Sequence, residues 1–370
     1  MTRIPFVDLH AQYLAHQAEF DLALRRVIER TAFIGGEFVR EFEQAFAAAL
    51  GVEHCIGVAN GTDAIYIVLR MLGIGPGDEV ITTAASWIST SETIGQTGAR
   101  PVFVDVDEYF NIDVDAVAAR ITPRTRAILP VHLYGQAAQV EVLAALAARH
   151  GLALVEDCAQ AHFARRHGAY AGTTGIAGTF SFYPGKNLGA WGDAGAIVTN
   201  DADLAGRCRM YANHGALVKH QHRIEGINSR LDGLQASLLT TKLRHIHEWT
   251  RARARVAARY DTLLAAVPEV ERPRVREGST HVWHLYVIRT PHREALRAHL
   301  AARGVETAVH YPTALPLLEA YRPLGTTAAD VPRAAHNQNT ILSLPIYPEM
   351  TDDMVAYVVD AIRDFHARPS

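Results

Sequence analysis

Cysteine is scarce in this chain: 3 residues in 370, Cys55, Cys158 and Cys208, far apart and without Cys-x-x-Cys spacing. That pattern excludes a disulfide framework and a cysteine zinc site, and reads the three thiols as small buried hydrophobes. Excess charge is lacking too. A net charge of -3 and a pI near 6.7 argue against non-specific nucleic-acid binding and leave small neutral or acidic molecules as partners. No apolar run reaches the roughly 18 residues of a membrane span. The opening Met1-Thr2-Arg3-Ile4-Pro5-Phe6-Val7-Asp8 has no basic start followed by an apolar core, so no secretory signal is read and a cytoplasmic location is expected. Internal repeats, low-complexity tracts and Gly/Ser linkers are missing as well. His214, His220 and His222 lie close together, but their spacing fits no helical pair, which reads as a loop and not a metal site. The Arg251, Arg253, Arg255 run reads as a solvated helix face.

With 49% hydrophobic and 20% charged residues, the chain can bury a large core and is expected to form two domains. After a helical stretch at residues 36–50, the pattern alternates. Strands are predicted near residues 55–59, 79–83, 101–106, 126–133 and 152–156, separated by helices near 63–72, 89–97, 113–120 and 140–150. Such alternation predicts an α/β fold, a mostly parallel sheet flanked by helices. The pattern then changes to a long helix at 233–264, a strand at 281–288, a helix at 293–302 stopped by Gly304, a strand at 307–311 and a last helix at 352–365 capped by Thr351. This reads as a smaller α+β domain, and places a large domain at residues 1–250 and a small one at 251–370.

In open α/β sheets the ligand crevice lies beyond the carboxyl ends of the strands, so the polar residues there become candidates together. Gly61-Thr62-Asp63 opens a helix, where free N–H groups and the dipole suit a phosphate, although the same residues also make a plain helix cap. Asp157 ends an apolar strand, a costly place for a carboxylate unless it meets a cation or several donors; a cap of the following segment is the simpler alternative. Trp87 is either a ligand platform or core. Lys186 stands between Gly185 and Asn187, just after a β-type run and among Phe182, Pro184 and Leu188. Alone it is a solvated loop lysine. A Walker loop is excluded, because Phe180 occupies the position where that motif needs glycine.

Taken together, a phosphate cradle, a carboxylate at a strand end and a desolvated lysine are what pyridoxal phosphate requires. The sequence also resembles the DegT/DnrJ/EryC1/StrS family of sugar aminotransferases, along nearly its whole length. The resemblance is carried by Phe33-Ile34-Gly35-Gly36, Asn60-Gly61-Thr62-Asp63-Ala64, Gly75-Pro76-Gly77-Asp78-Glu79-Val80, Glu156-Asp157-Cys158-Ala159-Gln160-Ala161-His162, Ser181-Phe182-Tyr183-Pro184-Gly185-Lys186-Asn187-Leu188, Gly226-Ile227-Asn228-Ser229-Arg230-Leu231-Asp232 and His310-Tyr311-Pro312.

The resemblance implies a fold type I transferase dependent on pyridoxal 5'-phosphate, cycling with its amine form. Lys186 would be the Schiff-base lysine and proton shuttle, Asp157 the partner of the ring nitrogen, Gln160 a contact to the ring hydroxyl and Trp87 the stacking aromatic. Gly61, Thr62 and Ser181 would hold the phosphate, with Asn228 supplied by the other subunit of a homodimer. His162, Tyr183, Arg230, His310 and Tyr311 would lie near the substrate. The implied reaction moves an amino group from an amino acid, L-glutamate, to a nucleotide-linked keto sugar; the residues 83–90 and 212–215 look more like members acting on 3-keto than 4-keto sugars. Pro316 and Phe163 depart from the family pattern, and both are expected to face the substrate entrance. Two alternatives follow from the same resemblance. A sugar dehydratase working with the amine form of the cofactor would usually carry histidine in place of Lys186. A non-catalytic cofactor-binding regulator would be expected to carry a basic DNA-binding segment, which neither end of this sequence supplies.

Overall fold

The structure is a computed structural model of the chain and describes residues 3–367. Three helices lead in: α1 (Leu9–Ala15), α2 (Gln17–Glu29) and α3 (Gly36–Leu50). In α3 the residues Phe38, Phe42, Phe46 and Leu50 recur every four positions and are all buried, and Gly51 ends the helix in the left-handed conformation at φ 73°.

The alternating part follows: β1 (His54–Val58), α4 (Gly61–Met71), β2 (Glu79–Thr83), α5 (Ser89–Gln96), β3 (Arg100–Val104), α6 (Val114–Ala119), β4 (Thr125–Leu129), α7 (Val140–His150) and β5 (Ala153–Asp157). A short ribbon, β6 (Arg165–Arg166) and β7 (Ala169–Tyr170), leads to β8 (Ala177–Ser181), β9 (Gly195–Thr199) and α8 (Ala202–Ala212). These strands form a seven-stranded sheet in the order β1-β9-β8-β5-β4-β2-β3. Only β9 runs against the rest, pairing antiparallel with β1 and β8. All five residues of β2 are buried, as expected of a strand covered on both faces. The expected mostly parallel α/β sheet is therefore present.

The remaining chain comprises α9 (Gly233–Leu243), α10 (Ile246–Leu264), β10 (Ser279–Thr280), β11 (Tyr286–Arg289), α11 (Arg293–Ala302), α12 (Pro332–Thr340), β12 (Ile341–Leu344) and α13 (Asp352–His366). Thr351 caps α13 by accepting the Met354 N–H at 3.2 Å. Three expectations need correction. The helix read across 233–264 breaks at Arg244 and His245, so that α9 packs on α2 and α3 while α10 packs on α13. The strand read across 281–288 is confined to Tyr286–Arg289, because the chain turns at Trp283, which has φ 50°. The strand read at 307–311 reduces to a bridge between Ala308 and Ser343.

Phe46 centres the first core. Its ring stacks on Phe42 and meets Phe163, Phe180 and Phe182 edge-on at centroid distances of 5.8 Å or less. A second core gathers Tyr260, Tyr286, Leu300, Leu342 and Val358 from the carboxyl-terminal elements, and Ile4 joins it from the amino-terminal end. Ile4 is held there by backbone bonds to Gly304 and Glu306. Helix α10 serves both cores, placing Trp249 in the first and Val256 and Tyr260 in the second. Among the described residues no helix is long and apolar enough to cross a membrane.

The Phe46 cluster makes a direct stability prediction. We expect Phe46→Ala to cost about 3–5 kcal/mol, read as a lower urea midpoint at unchanged slope; a midpoint within error of wild type would contradict the packing described.

Candidate active site

The carboxyl ends of β1, β2, β5 and β8 converge, and close backbone contact brings them together. Gly195, at the start of β9, lies so near β1 that a Cβ there would sit 2.4 Å from the Asn60 carbonyl; a Cβ on Gly61 would meet the Ser181 side chain at 2.6 Å. Glycine is thus required for the first turn of α4 to touch the end of β8. Asn60 caps α4 by accepting the Asp63 N–H at 2.8 Å, and the N–H groups of Gly61 and Thr62 lack intrahelical partners by helix geometry. The Thr62 hydroxyl lies 2.7 Å from that of Ser89 at the start of α5. Gly61, Thr62 and Ser181 therefore place backbone N–H groups and hydroxyls close together, donors of the kind that suit a phosphate.

Asp157 ends β5 almost fully buried. Its Oδ1 accepts from Ala159 N at 3.1 Å and its Oδ2 from the Thr90 hydroxyl at 2.9 Å, and Thr90 is bonded in turn to Ser86 at 2.8 Å. Burial raises its pKa above the usual carboxylate range, opposed by those two hydrogen bonds and by the charge of Lys186.

Lys186 sits on a tight turn after β8. Its N–H bonds to the Tyr183 carbonyl at 2.8 Å, and Ala190 N closes the turn on Phe182 O at 2.7 Å. The amine is desolvated, which lowers its pKa to about 8, while Asp157 pulls the other way. Around it stand His162, His284 and His310. Burial, reinforced by the lysine's charge, holds His162 near 3, His310 near 4 and His284 well below the ordinary histidine range. Near neutral pH these imidazoles are uncharged, and Lys186 is the group in this cluster that can exchange a proton.

Gln160 is locked between two tyrosines: its Oε1 accepts from Tyr134 N at 2.7 Å and its Nε2 donates to the Tyr311 hydroxyl at 3.1 Å. Tyr311 in turn lies beside the exposed ring of Trp87, 5.6 Å between centroids. The Tyr134 hydroxyl donates to the His310 carbonyl, and His310 Nδ1 meets Ser343 Oγ at 2.9 Å. Asn187, beside the lysine, donates to Val282 O at 2.8 Å and faces His284 Nδ1 at 3.2 Å. Val282 and His284 are thus tied to the lysine turn, and His310 and Tyr311 to Tyr134 and Gln160.

Most residues named from the sequence gather in this region, in unequal settings. His162 is fully buried behind the lysine, its ring between Phe180 and Phe182. Tyr183 is largely exposed, Arg230 is half-buried just before α9, and Asn228 is exposed on a segment bridged to Asn213. Phe163 and Pro316, expected at the substrate entrance, are instead buried. Phe163 adopts φ 64° and packs its ring against Phe46, Tyr170 and His247. A positive φ ordinarily favours glycine, and at Phe163 its cost is offset by the core packing of the ring. Sequence reading overlooked Thr90, Tyr134, His284 and Lys242. A lysine inside the apolar run Leu238-Leu239-Thr240-Thr241-Lys242-Leu243 was a readable signal; nothing local marks His284.

The lysine's depressed pKa gives a pH prediction with a definite sign. Its folded value of about 8 lies below the ordinary 10.5, so the ammonium form is penalised by folding. The penalty is full below pH 8 and fades as pH rises towards 10.5. We expect Lys186→Met to stabilise the cofactor-free protein by about 1–3 kcal/mol near pH 7, with the gain shrinking towards pH 10; melts of both proteins across that range check it, and a pH-independent difference would contradict it.

Comparison with known proteins gives the family of the chain. The profile of the DegT/DnrJ/EryC1/StrS aminotransferase family matches residues 15–363. A dTDP-3-amino-3,4,6-trideoxy-alpha-D-glucose transaminase of Streptomyces venezuelae is 44% identical, covering 99% of this chain and 97% of its own. A protein of Geobacillus stearothermophilus named "Pleiotropic regulatory protein" is 44% identical over 98% of each chain. The crystal structure of S. venezuelae DesV in complex with a ketimine intermediate superposes with a TM-score of 0.97, at 44% identity and full coverage of both chains. Matched along nearly its full length in sequence and in fold, this chain belongs to the DegT/DnrJ/EryC1/StrS aminotransferase family.

Proposed function

We propose that this chain moves the amino group of L-glutamate to the 3-keto position of a nucleotide-linked sugar. The coarser activity, that of a pyridoxal-phosphate-dependent nucleotide-sugar aminotransferase, follows from its family and from its transaminase relatives. The observation that carries the residue assignments is a desolvated Lys186 next to a buried Asp157, with a set of phosphate donors at the neighbouring strand end. The 3-keto preference is supported by the S. venezuelae relative, whose name gives a 3-amino sugar.

The donor set fits the cofactor chemically: backbone N–H groups and hydroxyls for a dianionic phosphate, and a carboxylate able to keep a ring nitrogen protonated. When bound, pyridoxal phosphate supplies the electron sink that lets an amino group leave one carbon and join another. The chain supplies the rest. Gly61, Thr62 and Ser181 hold the phosphate, with Asn228 reaching in from a second subunit. Asp157, itself fixed by Thr90 and Ala159, would offer its carboxylate to the ring nitrogen, with Gln160 for the ring hydroxyl and Trp87 for a ring face. Lys186 would be the residue that attaches the cofactor, and its amine, when neutral, is the chain's own group for taking up and returning a proton. With a pKa of about 8, about a tenth of its amine is neutral at pH 7, far more than for an ordinary lysine. Tyr183, Arg230, His310 and Tyr311 border the space for the sugar, while His162 supports the lysine from behind. In this reading residues 1–250 hold the cofactor, residues 251–370 bring His310 and Tyr311 over it, and the enzyme works in the cytoplasm.

The Geobacillus relative's name raises a regulatory reading, but the lysine, the buried acid and the cradle together support chemistry, and Lys186 itself speaks against the dehydratase alternative. Amino transfer from glutamate to a panel of nucleotide-linked 3-keto and 4-keto sugars tests the proposal. Lys186→Ala is expected to abolish transfer, and wild-type turnover in that variant would sink the assignment. The dimer is tested separately by mixing two inactive variants, Lys186→Ala and Asn228→Ala. Hybrid dimers would hold one intact site each, restoring about a quarter of wild-type activity in an equal mixture; no recovery after subunit exchange would refute a shared site.

A further inference from the structure

A second lysine lies beneath the first. Lys242, on α9, is 1% exposed and ranks with the large aromatic side chains as one of the most buried in the protein. Its Nζ donates to the Gly189 carbonyl at 2.7 Å and lies between two aromatic rings, 5.6 Å from the centre of Phe20 and 5.8 Å from that of Trp191. A buried ammonium is costly, and a methionine would fill the same channel without that cost. What the lysine adds over an apolar side chain is a donor aimed at one carbonyl, in a cage whose ring faces tolerate positive charge.

That carbonyl belongs to the turn that presents Lys186. The turn has little slack: a Cβ on Gly189 would sit 2.3 Å from the Pro184 carbonyl. At the backbone of the same Trp191 whose ring faces Lys242, α9 takes a second hold. Gln235 Oε1 accepts the Trp191 N–H at 2.8 Å, and the side chain of Gln235 also lies 3.1 Å from where a Gly192 Cβ would be. Positions 235 and 242 are two helical turns apart and share one face of α9. The helix therefore holds the exit of the lysine turn at two points, Gly189 and Trp191.

We propose that Lys242 is a positioning residue, which with Gln235 fixes the 183–191 turn on α9 and so sets where the Lys186 amine stands relative to Asp157. The proposal rests on the reading of Lys186 as the cofactor lysine. Lys242 touches neither cofactor nor substrate; it acts through the backbone of the turn, where a misplacement of about 1 Å can cost about 100-fold in rate.

The test uses the cofactor-loaded enzyme and Lys242→Met, Lys242→Arg and Gln235→Leu. For Lys242→Met the expected result is a folded protein whose kcat falls about 10- to 100-fold while KM for the amino donor stays within about threefold. The pH midpoint of the cofactor's visible absorption, which reports its attachment to Lys186, should move. Lys242→Arg should recover part of the kcat. Gln235→Leu leaves the buried amine in place and should shift kcat and the absorption midpoint in the same direction, so the proposal remains testable if Lys242→Met fails to fold. Wild-type kcat and midpoint in folded Lys242→Met would overturn it, as would wild-type values in Gln235→Leu should Lys242→Met not fold. Because the absorption readout needs only cofactor at Lys186, failure of the amino-transfer reading shows separately, as no transfer even by the wild type.

Discussion

The site depends on one electrostatic arrangement, an ammonium and a carboxylate both drawn out of water at the carboxyl edge of the sheet. Neither is comfortable there. Desolvation pushes Lys186 down and Asp157 up, and each charge partly relieves the other. Much of the neighbouring structure answers this strain. Thr90 and the Ala159 N–H stabilise the acid, and the imidazoles around the lysine stay neutral and add no competing charge. A functional group kept near its titration point by burial is what a proton carrier at neutral pH requires.

The sheet converts that local chemistry into a site. Parallel strands deliver their carboxyl ends to one edge, so residues distant in sequence meet without long excursions of the chain. The reversal of β9 adds a further element at this edge. Its first residue, Gly195, abuts Asn60 and thereby presses the opening of α4 against Ser181. The junction of α4 with β8 is thus built by missing side chains as much as by present ones.

Much of this was legible in the residues. Apolar periodicity located α3 and α11, and turn chemistry marked the strand ends at Asn60, Asp157 and Lys186. What escaped was set by tertiary packing. The apolar pattern of the run from 233 to 264 does not mark the break at Arg244 and His245, which follows from tertiary packing: α9 lies on α2 and α3, and α10 on α13. The 281–288 segment alternates like a strand, yet its first half is spent crossing over Asn187 and Gly135. Phe163 is expected at the substrate entrance from its departure from the family pattern, yet at its positive φ the ring is buried against Phe46. His284 illustrates the limit most simply: a lone histidine carries no information about which lysine it will face.

The seat of Ile4 bears on how the chain is made. This residue is synthesised well before its partners: its backbone bonds are to Gly304 and Glu306, and the core it enters includes Val358 and Ile362. The seven-stranded sheet can close while synthesis continues, whereas the second core must wait until α13 has been made. Until then the amino-terminal segment is a loose end beside an unfinished apolar surface. Vectorial synthesis therefore delays completion of the element that carries His310 and Tyr311, and a nascent chain stalled short of α13 would hold its lysine turn with its cover only partly built.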